Sequence, residues 1–487
     1  MSAKDDFDQD CPGFPAPSSK AATFPGFVAG CGNFAIQYNY TSASIASAIM
    51  LSHRDFTGEH VVPDYPEPDW VKECLHSAVF VGSVFGMLVM GYLGDAIGIR
   101  RALIATNSLV VMGALGSAFL SWGRPSTVWL VITASRFVLG VGAGGNYPLT
   151  AAKASEAAPA HEAVAKAGRA FFWQCPGALA PYLLGLFLLA LPRGDDVTSK
   201  QFRTLFAVGA VPSLVVLYAS MREPHDHVPE NRRRQDLSAA GIFDRRHWVT
   251  LVGTGGSWFL FDVAFYGTVI FTPNILGHVF GAQQTLRDLA LRSALMVGVG
   301  TLGTLTGLAG LRYVSPAKLN TIGLFLASWF FALFMGVHHL FPHQTRVLFL
   351  LLCLLFFILY AGPNVATYVL PVVSFPCQVR STFHGLSAAA AKVGAMLGAL
   401  LFPVMDAKLG VPAVMITQSL VCLAGALLSC CFLPNQDAWP EEVAQEERGA
   451  SGARVQAGRR WSLGGEETVR LEPAVIGRGA AEAEVHC

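Results

Sequence analysis

Apolar stretches of about twenty residues recur along most of this chain, and a helix of that length crosses the hydrocarbon core of a bilayer. About twelve such stretches can be placed, each about 18 to 28 residues long. The composition agrees, because 53% of the 487 residues are hydrophobic and only 14% are charged. A soluble domain carries about 25% charged residues. The chain is therefore predicted to be an all-α polytopic membrane protein.

The predicted spans fall into two groups of six, divided by the polar stretch MREPHDHVPENRRRQD. Their approximate bounds are 24–51, 76–95, 102–121, 127–150, 166–191, 203–220, 248–275, 290–312, 319–338, 346–373, 383–407 and 411–433. This division predicts an N-terminal segment 1–23, a first six-helix half 24–221, a central loop 222–247, a second six-helix half 248–433 and a disordered tail 434–487.

The composition also excludes several classes of function. A net charge of +1 offers no basic surface to a phosphate backbone, so no nucleic-acid partner is expected. The ten cysteines form no Cys-x-x-Cys pair and no His/Cys cluster with zinc spacing, so neither a metal site nor a disulfide scaffold is predicted. A soluble enzyme is excluded by the hydrophobicity. We therefore expect a protein that is not an enzyme and that needs no cofactor.

Basic residues in the connecting loops predict the orientation in the membrane. If both termini lie on one side, that side receives the basic residues Arg100, Arg101, Arg232 to Arg234, Arg245, Arg246, Arg312 and Lys318. The opposite side receives the acidic loop HRDFTGEHVVPDYPEPDW and the short links GRPS and HHLFPHQTR. Because basic loops are retained in the cytoplasm, both termini are predicted to be cytoplasmic. The plasma membrane is the expected location, and an organellar membrane is the alternative.

Three ionisable residues stand near the middle of predicted spans: Arg136, Asp262 and Lys392. A charge at that depth costs at least about 2.5–3.5 kcal/mol, so each is a candidate functional residue. One interpretation is an internal salt bridge that joins helices. The other interpretation is a central cavity for an anionic solute. The presence of two cations and only one acid favours this second interpretation.

The seventh span, GSWFLFDVAFYG, places three polar side chains on one helix face. Trp258, Asp262 and Tyr266 are spaced at i, i+4 and i+8. An indole, a carboxyl and a phenol along one face form a polar stripe inside an otherwise apolar helix. A carboxyl in that stripe needs a wet or ligand-bound environment, where it can hold and release a proton.

Two segments of the first half resemble known transporter motifs. GYLGDAIGIRR resembles the loop between the second and third spans of the major facilitator superfamily, matched by Gly91, Leu93, Gly94, Asp95, Gly98 and Arg100. Ala96 and Ile99 replace two of its basic positions. SRFVLGVGAGGNYPLTAAKASE resembles the signature of the phosphate:proton symporters, the plant and fungal high-affinity phosphate transporters. Its Gly140 and Gly144 also permit close helix packing.

Further matches follow in the same order along the chain. FFWQCPG is similar to the family's fifth span, and GSWFLFDVAFYG to its seventh. AGPNVATYVLPVVSFPCQVRSTFHGLSAAAAKVGA is similar to the run through spans ten and eleven. The chain is thus identified as a member of this family over residues 24 to 433. The resemblance implies a twelve-helix major facilitator fold, with two six-helix halves that rock around one site at the membrane midplane.

The resemblance also implies the residues of that site. Phosphate would be bound by Tyr147, Gln174, Trp258, Asp262, Tyr266, Asn364 and Lys392. These side chains offer phenols, amides, an indole and an ammonium as donors to an anion. Asp262 repels phosphate when ionised but donates a hydrogen bond when protonated. A second set is expected to act in proton coupling or gating: Asp262, Arg136, Asn39, Asn146 and Asp95.

Several positions depart from the family pattern. The family has acids in its DAYD and GGDYPL segments, where this chain has IQYN and GGNYPL, so Ile36, Asn39 and Asn146 replace carboxylates. An asparagine keeps the hydrogen bonds of an acid but does not titrate. Val373 and Cys377 also replace the Glu and Thr of the family's E-x-F-P-T loop. These changes leave proton symport, uniport, exchange and coupling to another ion as alternatives.

The sequence therefore predicts a transporter of inorganic phosphate and protons that works as a monomer in the lipid bilayer. One alternative keeps the fold but moves another anion, such as sulfate or an organic phosphate. Another is a phosphate-sensing receptor that transports little, although the long structured cytoplasmic domain expected of a receptor is not predicted here.

Overall fold

The computed structural model describes residues 24–51, 64–66, 68, 70–155, 160–191, 197–223, 244–280, 285–376 and 379–433. Within these ranges the elements are helices, and no strand is present. The predicted N-terminal segment 1–23, most of the central loop and the predicted tail 434–487 lie outside the described residues, as does Cys377.

The first half contains eight helical segments that form six passes through the bundle. They are α1 Phe24–Met50, α2 Val71–Ile97, α3 Ile99–Phe119, α4 Pro125–Ser155, α5 Ala160–Phe172, α6 Gln174–Ala190, α7 Val197–Val208 and α8 Ala210–Arg222. A turn at Trp173 joins α5 to α6, and a turn at Gly209 joins α7 to α8, so each pair is one interrupted span.

The second half also forms six passes, one of which is interrupted by a five-residue π-helical turn. Its elements are α9 Arg245–Phe280, α10 Leu286–Gly310, α11 Pro316–Leu340, α12 Thr345–Leu359, α13 Val365–Ser374, α14 Arg380–Leu409 and α15 Val411–Phe432. A π-helical turn, Tyr360–Asn364, lies between α12 and α13 and contains Pro363. Because proline cannot continue the α-helical hydrogen-bond ladder, the α-helix of this span is interrupted near its middle.

Eleven spans in the described part of the chain are long and apolar enough to cross a membrane. Helix α1 is not among them, although its 27 residues are sufficient in length. Its amides Asn33, Gln37 and Asn39 lower its mean hydropathy. With α1 as the twelfth pass, the prediction of an all-α polytopic membrane protein is confirmed.

The distribution of polar and apolar side chains is that of a membrane protein. Large apolar side chains such as Met112, Phe187 and Leu350 are exposed on the outside of the bundle, where lipid would cover them. Amides such as Asn107 and Gln418 are fully buried inside. The interior of the bundle, rather than its surface, therefore carries the groups that can recognise a polar solute.

Glycines set the distance between α2 and α4. A Cβ atom on Gly140 or Gly144 would collide with the backbone carbonyl oxygen of Val79 or Ser83 on α2. These two helices therefore pack backbone to backbone. The close contact fixes the position of α4, whose next turn carries Tyr147.

The two halves meet where α2 ends and α14 begins. A Cβ atom on Gly385 of α14 would collide with the Met87 carbonyl oxygen of α2, and it would lie 3.4 Å from the Cα atom of Gly91. Asp95, near the end of α2, accepts hydrogen bonds from the Thr382 backbone N–H at 2.7 Å and from the Thr382 hydroxyl at 2.6 Å. The halves are in contact at this end of the bundle.

Candidate functional site

An ion pair between two helices of the second half lies at the centre of the site. The Lys392 Nζ atom on α14 donates to the Asp262 Oδ2 atom on α9 at 2.7 Å. Each side chain is only 2% exposed. Removing two charges from water costs several kcal/mol per ion in order of magnitude, and their mutual attraction offsets this cost only in good geometry. Either partner without the other would be a strongly destabilising buried charge.

Two tyrosine rings flank the ammonium of this pair. The Lys392 Nζ atom lies 4.2 Å from the ring centroid of Tyr266 and 5.1 Å from that of Tyr147. These distances are within the range of cation–π attraction. Tyr266 is on α9, but Tyr147 is on α4 of the first half. The two halves therefore meet at Lys392.

An aromatic cluster continues the site toward α13. The Trp258 ring centroid lies 6.3 Å from that of Tyr147, 6.5 Å from that of Tyr368 and 5.7 Å from that of His384. Trp258 is one helical turn before Asp262 on α9, as the spacing predicts for residues on one face. The stripe formed by Trp258, Asp262 and Tyr266 faces both halves of the bundle.

Gln174 is the first residue of α6, and its side chain is hydrogen-bonded to two amides of α1. Its Oε1 atom accepts from Gln37 Nε2 at 3.1 Å, and its Nε2 atom donates to Asn33 Oδ1 at 2.7 Å. The Tyr266 hydroxyl also interacts with the Gln37 side chain. Gln174 is thus linked to the central site through Gln37.

Asn364 is the last residue of the π-helical turn and is half-buried. No hydrogen bond among the described residues joins its side chain to Asp262 or Lys392. The structure therefore brings together six of the seven residues that the resemblance implies as ligands, and it leaves Asn364 on the neighbouring element.

Arg136 is buried in a separate place between α4, α1 and α7. Its Nη2 atom donates to the Asn39 carbonyl oxygen at 2.6 Å and to the Ser42 hydroxyl at 3.2 Å. Its guanidinium carbon lies 4.9 Å from the Phe206 ring centroid. The Nε and Nη1 atoms are buried without an acceptor in the described part of the chain. The Arg136 guanidinium is therefore a buried charge that neutral acceptors hold in place, and it does not belong to the central site.

The amides at the positions expected to be acidic are paired within the first half. The Asn146 Oδ1 atom accepts from Asn107 Nδ2 at 3.0 Å, and the Asn146 Nδ2 atom returns a bond to Asn107 Oδ1 at 3.3 Å. The Asn39 Nδ2 atom donates to the carbonyl oxygens of Ala35 and Gly209, each at 2.9 Å. Ile36 is buried on α1 beside them.

Sequence reasoning did not single out five residues of this region: Asn33, Gln37, Thr150, Tyr368 and His384. A signal was available for the first two, because their spacing of four places both amides on one face of α1. Tyr368 and His384 lie inside the run that resembles the family, but their hydrogen bonds depend on contacts between distant helices. The His384 Nε2 atom lies 3.1 Å from the Tyr368 carbonyl oxygen.

The arrangement suits a small oxyanion. Phenol, indole, amide and ammonium groups surround one buried region, and each of them donates hydrogen bonds. Donors to an anion in a water-excluded site are strong because the bonds are charge-assisted. Among the described residues, Asp262 is the carboxyl that pairs with Lys392, and it competes with an anion for that ammonium.

Two six-helix halves with a buried polar site between them are the architecture of alternating-access transporters. A family model described as "Sugar (and other) transporter" matches residues 26–225 and 244–439 of this chain. The chain therefore belongs to this family of the major facilitator superfamily.

Two relatives of this chain are named as transporters of the same solute, inorganic phosphate. The chain is 31% identical over 409 residues to the "Inorganic phosphate transporter PT2" of Toxoplasma gondii, which covers 82% of this chain and 70% of that protein. It is 30% identical over 393 residues to the "Inorganic phosphate transporter 1-6" of Oryza sativa, which covers 69% of this chain and 73% of that protein. The predicted likeness to the phosphate branch is confirmed.

Solved structures support the fold. The xylose transporter XylE from E. coli, in a partially occluded inward-open conformation, superposes with a TM-score of 0.68 at 16% identity, covering 86% of this chain and 99% of that one. The transporter FucP in its outward conformation gives a TM-score of 0.59 at 14% identity, covering 84% of this chain and 99% of that one. The predicted major facilitator fold of two halves is confirmed.

Proposed function

We propose that this protein transports inorganic phosphate across a membrane by alternating access, with the Asp262–Lys392 pair at the centre of the binding site. The observation that carries the proposal is this pair, buried between the halves and surrounded by donors from both. The names of its relatives support phosphate as the substrate. Rocking of the first half, residues 24–221, against the second, residues 248–433, would expose the site to each side in turn.

The ligand roles follow from the chemistry of each group. Lys392 supplies the positive charge, and Tyr147, Tyr266, Trp258 and Gln174 supply neutral donors. Asn364 would complete the set by moving with the π-helical turn as the second half rocks. In the structure Lys392 is already neutralised by Asp262, so either phosphate displaces that carboxyl or a proton neutralises it.

Coupling to protons follows from this competition. Phosphate and an ionised Asp262 repel each other, whereas a protonated Asp262 frees the Lys392 ammonium and donates to the anion. A proton on Asp262 and a phosphate at Lys392 therefore stabilise each other, which is the requirement of symport. We place this coupling on Asp262 because Asn39 and Asn146 cannot titrate. Uniport and exchange are the alternatives if Asp262 keeps its charge state.

Gating is assigned to the end of the bundle where α2 meets α14. Asp95 holds the backbone N–H and the hydroxyl of Thr382 at the start of α14. These bonds have to break when the site opens toward that end. The protein would work as a monomer in the plasma membrane, with this end and both termini on the cytoplasmic side.

The test is uptake of radiolabelled phosphate into proteoliposomes that contain the full chain. Saturable uptake that unlabelled phosphate reduces, and that sulfate and glycerol phosphate do not, is the expected result. Faster uptake when the outside is acidic would support symport, and equal rates with and without the gradient would support uniport. Equal competition by sulfate would overturn phosphate as the preferred substrate. Binding without uptake would favour a sensing receptor.

A further inference from the structure

The orientation of the Gln174 amide is determined by its two neighbours on α1. A side-chain amide has an acceptor end and a donor end. Because Gln37 donates to the Gln174 Oε1 atom, the acceptor end is occupied. One hydrogen of the Nε2 atom goes to Asn33 Oδ1, and the second, which has no acceptor among the described residues, can go to an anion. Gln174 therefore presents a donor, and not an oxygen that would repel phosphate.

Asn33 extends this chain of amides across to the second half. Its Nδ2 atom has three acceptors for two hydrogens: the Ala29 carbonyl oxygen at 3.0 Å, the Thr150 hydroxyl at 3.2 Å and the Tyr368 hydroxyl at 3.4 Å. The hydroxyls of Thr150 and Tyr368 share a further hydrogen bond of 3.0 Å. Asn33 and Thr150 belong to α1 and α4, whereas Tyr368 belongs to α13. One amide thus joins a proposed phosphate ligand to a contact between the halves.

These hydrogen bonds are energetically important because the groups that form them are buried. Asn33 and Tyr368 are fully buried, so water cannot replace a partner that is lost. The Tyr368 ring is held independently, because its centroid lies 4.5 Å from that of Phe171 and 5.2 Å from that of His384. The hydroxyl of Tyr368 can therefore be removed without removing the packing of its ring.

We propose, on the basis of the proposed phosphate site, that Asn33 is a positioning residue that links phosphate binding to the contact between the halves. Asn33 keeps the Gln174 donor directed to the anion. A phosphate that accepts the second Nε2 hydrogen draws the Gln174 amide toward itself, so the Gln174–Asn33 bond lengthens and the Asn33 amide moves. The bonds from Asn33 to Thr150 and Tyr368 then weaken as well, and the contact between the halves loosens only when the site is occupied.

Two variants separate these roles. Tyr368→Phe removes the two bonds of its hydroxyl to Asn33 and Thr150, so the Kd for phosphate should stay within about twofold of the original while the kcat of uptake changes. Asn33→Ala also releases Gln174, so the Kd and KM should rise by about three- to tenfold. Tyr38→Phe is the matched control, because the Tyr38 hydroxyl donates to the Leu205 carbonyl oxygen within the first half.

The decisive measurement is hydrogen–deuterium exchange of the α13 backbone in the purified full chain, with and without saturating inorganic phosphate. Phosphate should change the exchange of residues 365–374 in the original protein and in Tyr38→Phe. Most of that change should be lost in Tyr368→Phe and in Asn33→Ala, even though each is saturated. A change as large in Tyr368→Phe as in the original protein would overturn the link, as would an unaltered Kd in Asn33→Ala.

Thr150→Val provides a second route if Asn33→Ala does not reach the membrane. It removes the hydroxyl that bonds to Tyr368 and to Asn33 but keeps the Asn33–Gln174 and Asn33–Tyr368 bonds. It should therefore lose part of the α13 response, with a Kd for phosphate that stays within about twofold of the original. Failure of this inference differs from failure of the proposed function. An original protein that binds no phosphate would contradict both, whereas phosphate binding with an α13 response independent of Asn33 and Tyr368 would contradict only the link.

Discussion

Among the described residues each half has one cation that is only 1% exposed, and the two cations are stabilised in different ways. In the second half, Lys392 forms a 2.7 Å ion pair with Asp262. In the first half, Arg136 is held by the Asn39 carbonyl oxygen and the Ser42 hydroxyl, which are neutral acceptors. Both cations are 1% exposed, so the environment and not the depth distinguishes them. A charged partner can be exchanged for an anion, whereas a backbone carbonyl cannot.

This difference assigns separate tasks to the halves. The ammonium of Lys392 is compact and lies between two tyrosine rings, so an incoming anion can reach it once Asp262 is neutralised. The guanidinium of Arg136 is a planar group with five donors, and two of its nitrogens find no acceptor within the described residues. The second half therefore carries the exchangeable charge pair. In the first half, Arg136 is held by neutral hydrogen-bond acceptors.

The largest effect is expected from removing the exchangeable cation. Lys392→Ala should abolish phosphate uptake, because an anion entering that site would have no compensating charge. Lys392→Arg should restore little of that uptake, because a planar guanidinium does not replace a compact ammonium. The measurement is initial uptake into proteoliposomes.

A matched control for this prediction lies on the same helix. Lys408→Ala removes an exposed lysine near the end of α14 and should leave uptake unchanged. The double variant Lys392→Ala/Asp262→Asn removes both charges of the pair, and its folding can be checked by thermal unfolding. Near-normal uptake by Lys392→Ala would show that the Asp262–Lys392 pair has only a structural role.

A smaller effect is expected at the neutral donors around the pair. Tyr147→Phe, Gln174→Ala and Trp258→Phe should each weaken phosphate binding by roughly ten- to hundred-fold, since a hydrogen bond to a charged group contributes about 1.5–3 kcal/mol. Calorimetric titration of the purified variants measures this. Trp129→Phe, which alters a buried indole elsewhere on α4, should leave the affinity unchanged. Unaltered affinity in all three variants would contradict the site.

Neutralising the acid of the pair should change coupling more than binding. Asp262→Asn cannot carry a proton but can still donate to the anion, so phosphate exchange should persist while dependence on a pH gradient is lost. The comparison is initial uptake at equal and at unequal pH across the membrane. Strong proton-driven accumulation that Asp262→Asn leaves intact would place the proton carrier elsewhere.

The smallest effect is expected from giving the first half the acids it lacks. Asn39→Asp would place a carboxyl on the residue whose backbone carbonyl oxygen accepts from Arg136, and Asn146→Asp would keep one of its two bonds to Asn107. Both should increase the dependence of uptake on a pH gradient, and Asn39→Asp should do so more strongly because a cation contacts the same residue. A dependence equal to that of the original protein in both variants would show that the first half takes no part in coupling.

The sequence alone determined the features that depend on local spacing. The length of the apolar stretches predicted the membrane fold, because crossing the hydrocarbon core requires that length in any packing. The spacing of Trp258, Asp262 and Tyr266 predicted one shared face, because helical periodicity holds whatever the helix packs against. The midplane charges were also visible, since a charge inside an apolar run is rare.

The tertiary structure alone decided which of these groups meet. Asp262 and Lys392 are 130 positions apart, and Gln174 and Asn33 are 141 apart. The pairing of Asn146 with Asn107, the isolation of Arg136 and the bond from Tyr368 to the first half also arise between helices. Periodicity specifies the face on which a side chain lies, but the residue opposite that face depends on how the helices pack, and no local pattern contains that information.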